Sequence, residues 1–363
     1  MTLFDKLSKI PGKYHKRTVE NVTVVLACIL TSRTTNLNRM KDDMARVMGG
    51  KRLRAGSYYR RLTRFFERYG PTRLFIDVLL WVLQTLPGRI DDFLLDGTEW
   101  KIGCFELHVL VLAARVRGVA VPVYFRVYQH KGVLSEQERI NFMRKALSVI
   151  DLTGFLLVAD REFIGKVWCG FLADSGLDFV IRLRKGIYRQ AVEAGGQCYG
   201  RLEKRALKKG YCQAVFELEG GRYRIEMWRS ANLDEPIVYL ITSVLGSKRM
   251  GKRYARRWKI EYCFKHLKTN GFNLEDVALT DLKKIRLMVS LVVAAYVLAV
   301  REGVIGAKRR KPRTIKYRDG ERYLAVSIFR AGLQEIKSQI VTWKNLDTYL
   351  AGIRIRNPII QFV

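Results

Sequence analysis

The run Gly154-Phe-Leu-Leu-Val-Ala-Asp160 is the stretch that most narrows what this chain can fold into. An unbroken apolar segment that stops abruptly at a carboxylate reads as a central strand buried on both faces, with Asp160 delivered at its end. The flanking sequence agrees. At Ile90 the period changes, and three strand-like segments follow, Ile90 to Asp96, Phe105 to Val116 and Val119 to Tyr128, punctuated by Gly103, Gly118 and Gly132. A helix from Ser135 to about Val149 opens with Ser135 as N-cap and Glu138 three residues on, the pattern of a capping box. A second helix, about Phe163 to Ser175, and a strand, Phe179 to Leu183, complete the series. Three strands, helix, strand, helix, strand defines an α/β class with a mixed sheet covered by helices.

A second segment concentrates reactive side chains, Tyr254-Ala-Arg-Arg257-Trp-Lys-Ile-Glu261-Tyr-Cys-Phe-Lys-His-Leu-Lys268. Tyr254, Arg257, Glu261 and Lys268 recur at three, four and seven, which aligns them along one helix face. Ile260, Phe264 and Leu267 form the adjacent apolar stripe, so one helix can lie on a core and present the polar row. A carboxylate between cations suits a metal ligand beside a phosphate chain. The same spacing is satisfied by an exposed helix with ordinary ion pairs.

Charge decides between classes of partner. Lys plus Arg number 66 against 34 Asp plus Glu, a net charge of +32. A polyanion, nucleic acid first, is therefore the expected partner, and acidic small molecules are disfavoured. The cations are spread from Lys13 to Arg356 and do not flank a hydrophobic segment, as a membrane-surface protein would require. The longest apolar run, Leu287 to Val300, falls short of the roughly 18 to 20 residues of a bilayer span and predicts a buried helix. With charges and no apolar signal segment between Met1 and Lys16, a cytoplasmic location is expected. The six cysteines, Cys28, Cys104, Cys169, Cys198, Cys212 and Cys263, make no C-x-x-C pair, and no zinc-type or serine-hydrolase motif occurs.

The row Tyr254, Arg257, Glu261, Lys268 resembles the Y-x-x-R-x-x-x-E-x-x-x-x-x-x-K signature of the DDE transposases of insertion sequences, the branch called family four, and all four positions match. The resemblance runs from about Ile90 to Gly271 and implies a ribonuclease H-like core, a mixed five-stranded sheet flanked by helices. It implies that Glu261 is the third catalytic carboxylate and that Tyr254, Arg257 and Lys268 contact the transposon end. Asp96, in Leu94-Leu95-Asp96-Gly97-Thr98, fits the first aspartate at the end of the first strand, and Asp160, in Val158-Ala159-Asp160-Arg161-Glu162-Phe163, fits the second. Asp91, Asp92 and Glu99 are close competitors for the metal role, and strand-end aspartates are also common turn residues. Implied with these are two Mg²⁺ ions, replaceable by Mn²⁺, held by Asp96, Asp160 and Glu261, and in-line attack by water and then by the freed 3′-hydroxyl on target DNA. The partners implied are double-stranded DNA, as terminal inverted repeats and target, and a second copy of the chain on paired ends.

The remaining segments are read around that core. Residues 1–88 are helical and basic, and Lys51 to Arg68 interleaves cations with aromatics, as in a helix gripping DNA or in an amphipathic helix whose Tyr and Phe enter the core. The core takes 89–185 and 244–305. Between Asp160 and Glu261 lies more chain than one helix and one strand use, so 186–243 is an insertion. Its glycine turns and alternating runs, Cys212 to Leu218 and Arg222 to Trp228, predict a small antiparallel β unit. Some relatives use an aromatic there to hold a flipped base, for which Trp228 is the candidate, and the position equally suits a packed sheet tryptophan. Asp281 to Arg301 reads as a buried helix. Residues 306–363 hold the basic run Lys308 to Arg318 and closing helices at Ser327 to Ile336 and Asn345 to Ile353. Two other functions stay open: an inactive, domesticated DNA-binding relative, and a ribonuclease H-like nuclease without strand transfer.

Overall fold

A computed structural model of the chain describes residues 14–353 apart from 50–52, 103–104, 131, 247, 318–319, 321 and 341. The N-terminal charges before Tyr14, Lys51, Gly103, Cys104 and Arg318 lie outside the described residues. The run that narrows the fold becomes β4 (Leu156–Ala159), buried at all four positions. On one side it pairs in parallel with β1 (Ile90–Ile102) and on the other with β5 (Asp178–Leu183), so it is central, as its apolar continuity requires. Next to β1, β2 (Phe105–Val116) and β3 (Val119–Tyr128) continue the sheet antiparallel.

Two expectations are corrected here. The sheet has eight strands, not five, in the order β3-β2-β1-β4-β5-β8-β7-β6, because the strands of 186–243, antiparallel as expected, continue it. Strands β6 (Tyr211–Leu218), β7 (Gly221–Arg229) and β8 (Ile237–Thr242) add to the far edge of β5, with Val180 opposite Thr242 and Leu183 opposite Tyr239. That edge would otherwise leave a row of backbone donors and acceptors unpaired. Two short helices missed in the sequence, α7 (Arg189–Ala194) and α8 (Tyr199–Lys209), precede β6. The second correction concerns β1, which runs on past Asp96 to Ile102. Its antiparallel partner β2 extends the ladder to Ile102 opposite Phe105, whereas parallel pairing with β4 ends at Leu95 opposite Ala159. Asp96 is thus a mid-strand residue, the first beyond the reach of β4.

Helices cover the sheet. The capping box at Ser135 is present, Ser135 Oγ accepting from the Glu138 N–H and the Glu138 carboxylate from the Ser135 N–H, and it starts α5 (Glu136–Leu147); such a cap is worth about 0.5–2 kcal/mol. After a 3₁₀ turn at Arg161–Phe163, α6 is Lys166–Asp174. The predicted buried helix is longer than its apolar run: α11 (Leu282–Arg309) has 28 residues and is long and apolar enough to cross a bilayer, with 94% of its apolar window buried inside the protein. Around it lie α1 (Lys16–Ser32), α2 (Leu37–Val47), α3 (Ala55–Tyr69), α4 (Leu74–Leu83), α12 (Ile328–Gln339) and α13 (Trp343–Gly352). α12 approaches α11 closely enough that a Cβ on Gly332 would lie 1.8 Å from the carbonyl oxygen of Ala299. On α3 the basic stretch is an amphipathic helix: Tyr58, Leu62, Phe65 and Phe66 enter the core, while Arg60, Arg64 and Arg68 face solvent.

Candidate active site

The polar row begins where Met250 meets β7. The segment is helical throughout but not one uniform helix: α9 (Gly251–Tyr254) passes through a 3₁₀ stretch, Ala255–Trp258, into α10 (Lys259–Lys268). Ile260, Cys263, Phe264 and Leu267 are its buried face. Two ion pairs dock it onto β1, Arg253 with Asp92 and Arg257 with Asp96, two cations four residues apart on two aspartates four residues apart. A second anchor is Glu226 on β7. Wholly buried with Arg224, it accepts hydrogen bonds from Arg224 at 2.7 Å, from Trp228 Nε1 at 2.8 Å and from the Met250 N–H at 3.0 Å. Neither docking contact is readable from local sequence, because each joins the helical segment to a strand distant in the chain.

Arg257 is the centre of the site. Its guanidinium lies 2.9 Å from Asp96, 2.9 Å from Glu261 and 3.7 Å from Asp160. The three carboxylates come from mid-β1, from the residue after β4 and from the first turn of α10. Tyr254 donates its hydroxyl to Asp160 Oδ1 at 3.0 Å. Side-chain exposure rises from 11% at Asp96 through 27% at Asp160 to 40% at Glu261, so the site opens on the Glu261 side. Burial pushes Asp96 up to about 7; Arg257 opposes the shift, and Glu162, Asp160 and Glu261 add to it. Burial also works against the Arg257 charge, yet Asp96, Asp160, Tyr254 and Glu261 hold its pKa above the ordinary value. Tyr254 is raised to about 12, by burial first and by Asp160 next.

Glu162 is a carboxylate that the sequence reading passed over. The Gly97 N–H donates both to Asp96 Oδ1 at 3.0 Å and to Glu162 Oε1 at 3.3 Å. Burial raises the Glu162 pKa, the Gly97 hydrogen bond opposes, and Asp160 raises it further. Buried Arg139 holds the turn by donating to the Glu162 carbonyl at 2.7 Å. A Cβ at Gly97 would lie 2.7 Å from His108 Nε2 and 3.2 Å from Glu162 Oε1, so a larger residue there would displace the His108 ring or the Glu162 carboxylate. The only sequence signal for Glu162 is its place two residues after Asp160.

The other expected residues lie apart from this cluster. Lys268 donates to the main-chain oxygen of Glu99 at 2.5 Å and lies 3.7 Å from Glu275. Trp228 packs where a Cβ on Gly251 would lie 2.6 Å from its ring, with Tyr211 at 4.5 Å between centroids. It is a packed sheet tryptophan in this arrangement. The aromatics exposed beside the carboxylates are Trp258, 56% exposed with Arg257 5.4 Å from its ring, and Tyr262, 59% exposed. Of the competing acids, Asp92 is paired with Arg115 and Arg253, Asp91 with Arg115, and Glu99 accepts from the Gly132 N–H.

For a divalent ion the donor chemistry fits: Asp96, Asp160 and Glu261 offer only carboxylate oxygens, the ligands of hard cations. The space between them is taken by the Arg257 guanidinium, and among the described residues no group of three or more His, Cys, Asp or Glu is arranged to hold a metal as it stands.

Residues 134–298 match the family model described as the transposase DDE domain. That span holds Asp160, Tyr254, Arg257, Glu261 and Lys268; Asp96 lies upstream of it. The match supports a DDE transposase, a class whose domains generally use divalent metal ions. No curated protein matches the chain. Among solved structures the chain is similar to the protein in a cryo-EM structure of the piggyBac transposase synaptic complex with hairpin DNA, at 12% identity and a TM-score of 0.45, over 98% of this chain and 81% of that one. A likeness so distant assigns no role to any residue.

Proposed function

We propose that this chain is the DNA transposase of an insertion sequence, similar to family four, which binds transposon ends, cleaves phosphodiester bonds with divalent metal and transfers the strand to target DNA. The observation that carries the reading is the convergence of Asp96, Asp160 and Glu261 on one cation, from two adjacent parallel strands and a helix distant in sequence, with two of the three inside the transposase DDE match. A ribonuclease H-like core is the fold reading this supports, with β1 to β5 as its sheet, 186–243 as an insertion, and 1–88 as a DNA-binding region.

In this reading Asp96, Asp160 and Glu261 hold Mg²⁺, or Mn²⁺ in its place, and the metal supplies polarisation of the scissile phosphate and an activated attacking oxygen. The protein's own groups do the rest. Asp96 must give up its proton to act as ligand, and Arg257 favours that step by stabilising the anion. Tyr254 fixes the orientation of Asp160 through its hydroxyl. Arg257, once drawn off the carboxylates, offers a planar fork to a phosphate, and Lys268 supplies a further cation on the next turns of the helix. Paired ends would bring two copies of the chain together, in the cytoplasm where the element resides.

The test uses duplex fragments carrying the inverted repeats that flank the reading frame. Asp160→Asn and Glu261→Gln are expected to lose metal-dependent cleavage and joining while still shifting the fragment in a gel. Normal cleavage by Glu261→Gln would remove it from the site; cleavage without joining by the unaltered protein would make the chain a nuclease of the same fold.

A further inference from the structure

Beyond the sheet and its helices stands a small element that the site does not use. Strands β9 (Thr314–Lys316) and β10 (Arg322–Leu324) pair antiparallel as a two-stranded sheet of their own, and the Gly320 N–H donates to the Tyr317 carbonyl at 3.0 Å. All described residues over 308–317 and 322–326 are exposed. The register divides the hairpin into two faces. Lys316 is opposite Arg322, and Thr314 opposite Leu324, on one side; Ile315 is opposite Tyr323 on the other. Tyr317 joins the second face by edge contact with Tyr323, 5.2 Å between ring centroids. Ile315, Tyr317, Tyr323, Leu324 and Val326 are 45, 59, 49, 42 and 46% exposed, five of the fifteen large apolar side chains exposed among the described residues. A lone hairpin is marginally stable in water, and the exposed face that Ile315, Tyr317 and Tyr323 share on it suits a contact surface.

Charge identifies that partner. Between residues 308 and 324 the sequence has eight Lys or Arg against two acids. A second copy of this chain, itself at +32, would meet the hairpin with like charge. Duplex DNA offers phosphates to the cations and a groove that admits a two-stranded ribbon. We propose that the hairpin 314–324 is an arm that enters a groove of duplex DNA, with Lys316 and Arg322 on phosphates and Ile315, Tyr317 and Tyr323 against sugars and base edges. The inference rests on the DNA-processing reading and adds to it a binding element outside both the carboxylate site and the N-terminal helices.

Binding of the full chain to a fluorescein-labelled mixed-sequence duplex, followed by anisotropy over a range of salt, tests it. Lys316→Ala with Arg322→Ala should weaken binding and lower the slope of log affinity against log salt by about 2, since each phosphate contact contributes about 0.9. Tyr317→Ala should weaken binding with the slope unchanged. Hydrogen exchange on the unaltered protein needs no variant: the amides of Ile315 to Tyr317 and Tyr323 to Leu324 should slow when duplex is added. An unchanged slope and affinity in the double variant, or no slowing, overturns the arm. So does a dimer seen by light scattering without DNA that Tyr317→Ala abolishes, because the face would then belong to a second copy. If the unaltered protein fails to bind duplex at all, the DNA-processing reading falls; if it binds and the hairpin variants bind equally, only the arm does.

Discussion

Replacing Arg257 by Ala would take the one cation out of a nest of three carboxylates, and the consequence depends on pH in a direction the structure fixes. Glu261 and Asp160 reach water and can rehydrate, so most of the penalty falls on Asp96, whose side chain is 11% exposed. Deleting one partner of a buried pair costs about 3–5 kcal/mol. Asp96 has a folded pKa of about 7 against an ordinary 3.8. Protonated Asp96 is therefore the form the fold prefers, and its contribution to stability is fully present below about pH 4 and is lost as pH rises through 7. Arg257 limits that loss. Without it the Asp96 pKa moves higher, so Arg257→Ala should cost little at pH 5, where Asp96 is neutral in both proteins, and approach the full penalty at pH 8. Urea unfolding in EDTA at the two pH values measures the difference. Adding Mn²⁺ at pH 8 should then stabilise the variant more than the parent, because the vacated carboxylates can take an ion in place of the guanidinium. Equal losses at pH 5 and pH 8, or a larger Mn²⁺ effect in the parent, would refute the assignment of Arg257 as the counter-charge of this cluster.

Two further outcomes are expected. Glu226→Ala should destabilise the fold by about 3–5 kcal/mol in denaturant, because it strands fully buried Arg224 and frees the Met250 N–H that starts the site segment; a loss below about 1 kcal/mol would show that β7 does not hold that segment down. His266, lowered to about 4 by burial and by nearby Arg330 and Lys265, should make stability fall as pH drops from 6.5 toward 4, by at most about 3 kcal/mol and less for its partial exposure, and His266→Phe should flatten that limb of a thermal melting series.

What the sequence disclosed and what it hid follow from the range of the interactions involved. Tyr254, Arg257 and Glu261 were legible because helical periodicity is local, and Asp160 because five apolar residues before it admit a buried central strand. Asp96 was legible as a residue and misread as a strand end, since the ladder that carries β1 on to Ile102 belongs to β2 and leaves no mark within β1 itself. The eight-stranded sheet was hidden for the same reason: alternation in Arg222 to Trp228 announces a strand but not which edge it will join. Trp228 illustrates the limit for side chains. Its place on a glycine-punctuated excursion left a DNA contact open, whereas Gly251, whose backbone closes over its ring, becomes a neighbour only once the site segment is docked on β7.

The two terminal nitrogens of Arg257 face Asp96, Asp160 and Glu261, its Nε is buried without a hydrogen-bond partner, and its side chain is only 6% exposed, so a phosphate cannot reach the guanidinium where it lies. Under the proposed function this residue must serve the DNA end and the carboxylates must serve the metal, and the two cannot happen while the ion pairs stand. Leaving them uncovers three anions for a divalent cation and frees one cation for the scissile strand in a single movement. DNA and metal should therefore each raise the affinity for the other by the same factor, as linkage requires of two ligands that favour one state. Arg257→Ala removes the element that couples them: metal should then bind the free protein more tightly, and the mutual enhancement should shrink. Mn²⁺ titrations by calorimetry, with and without duplex, read both quantities. An enhancement of the same size in the variant would mean that the two ligands are coupled through some other part of the chain.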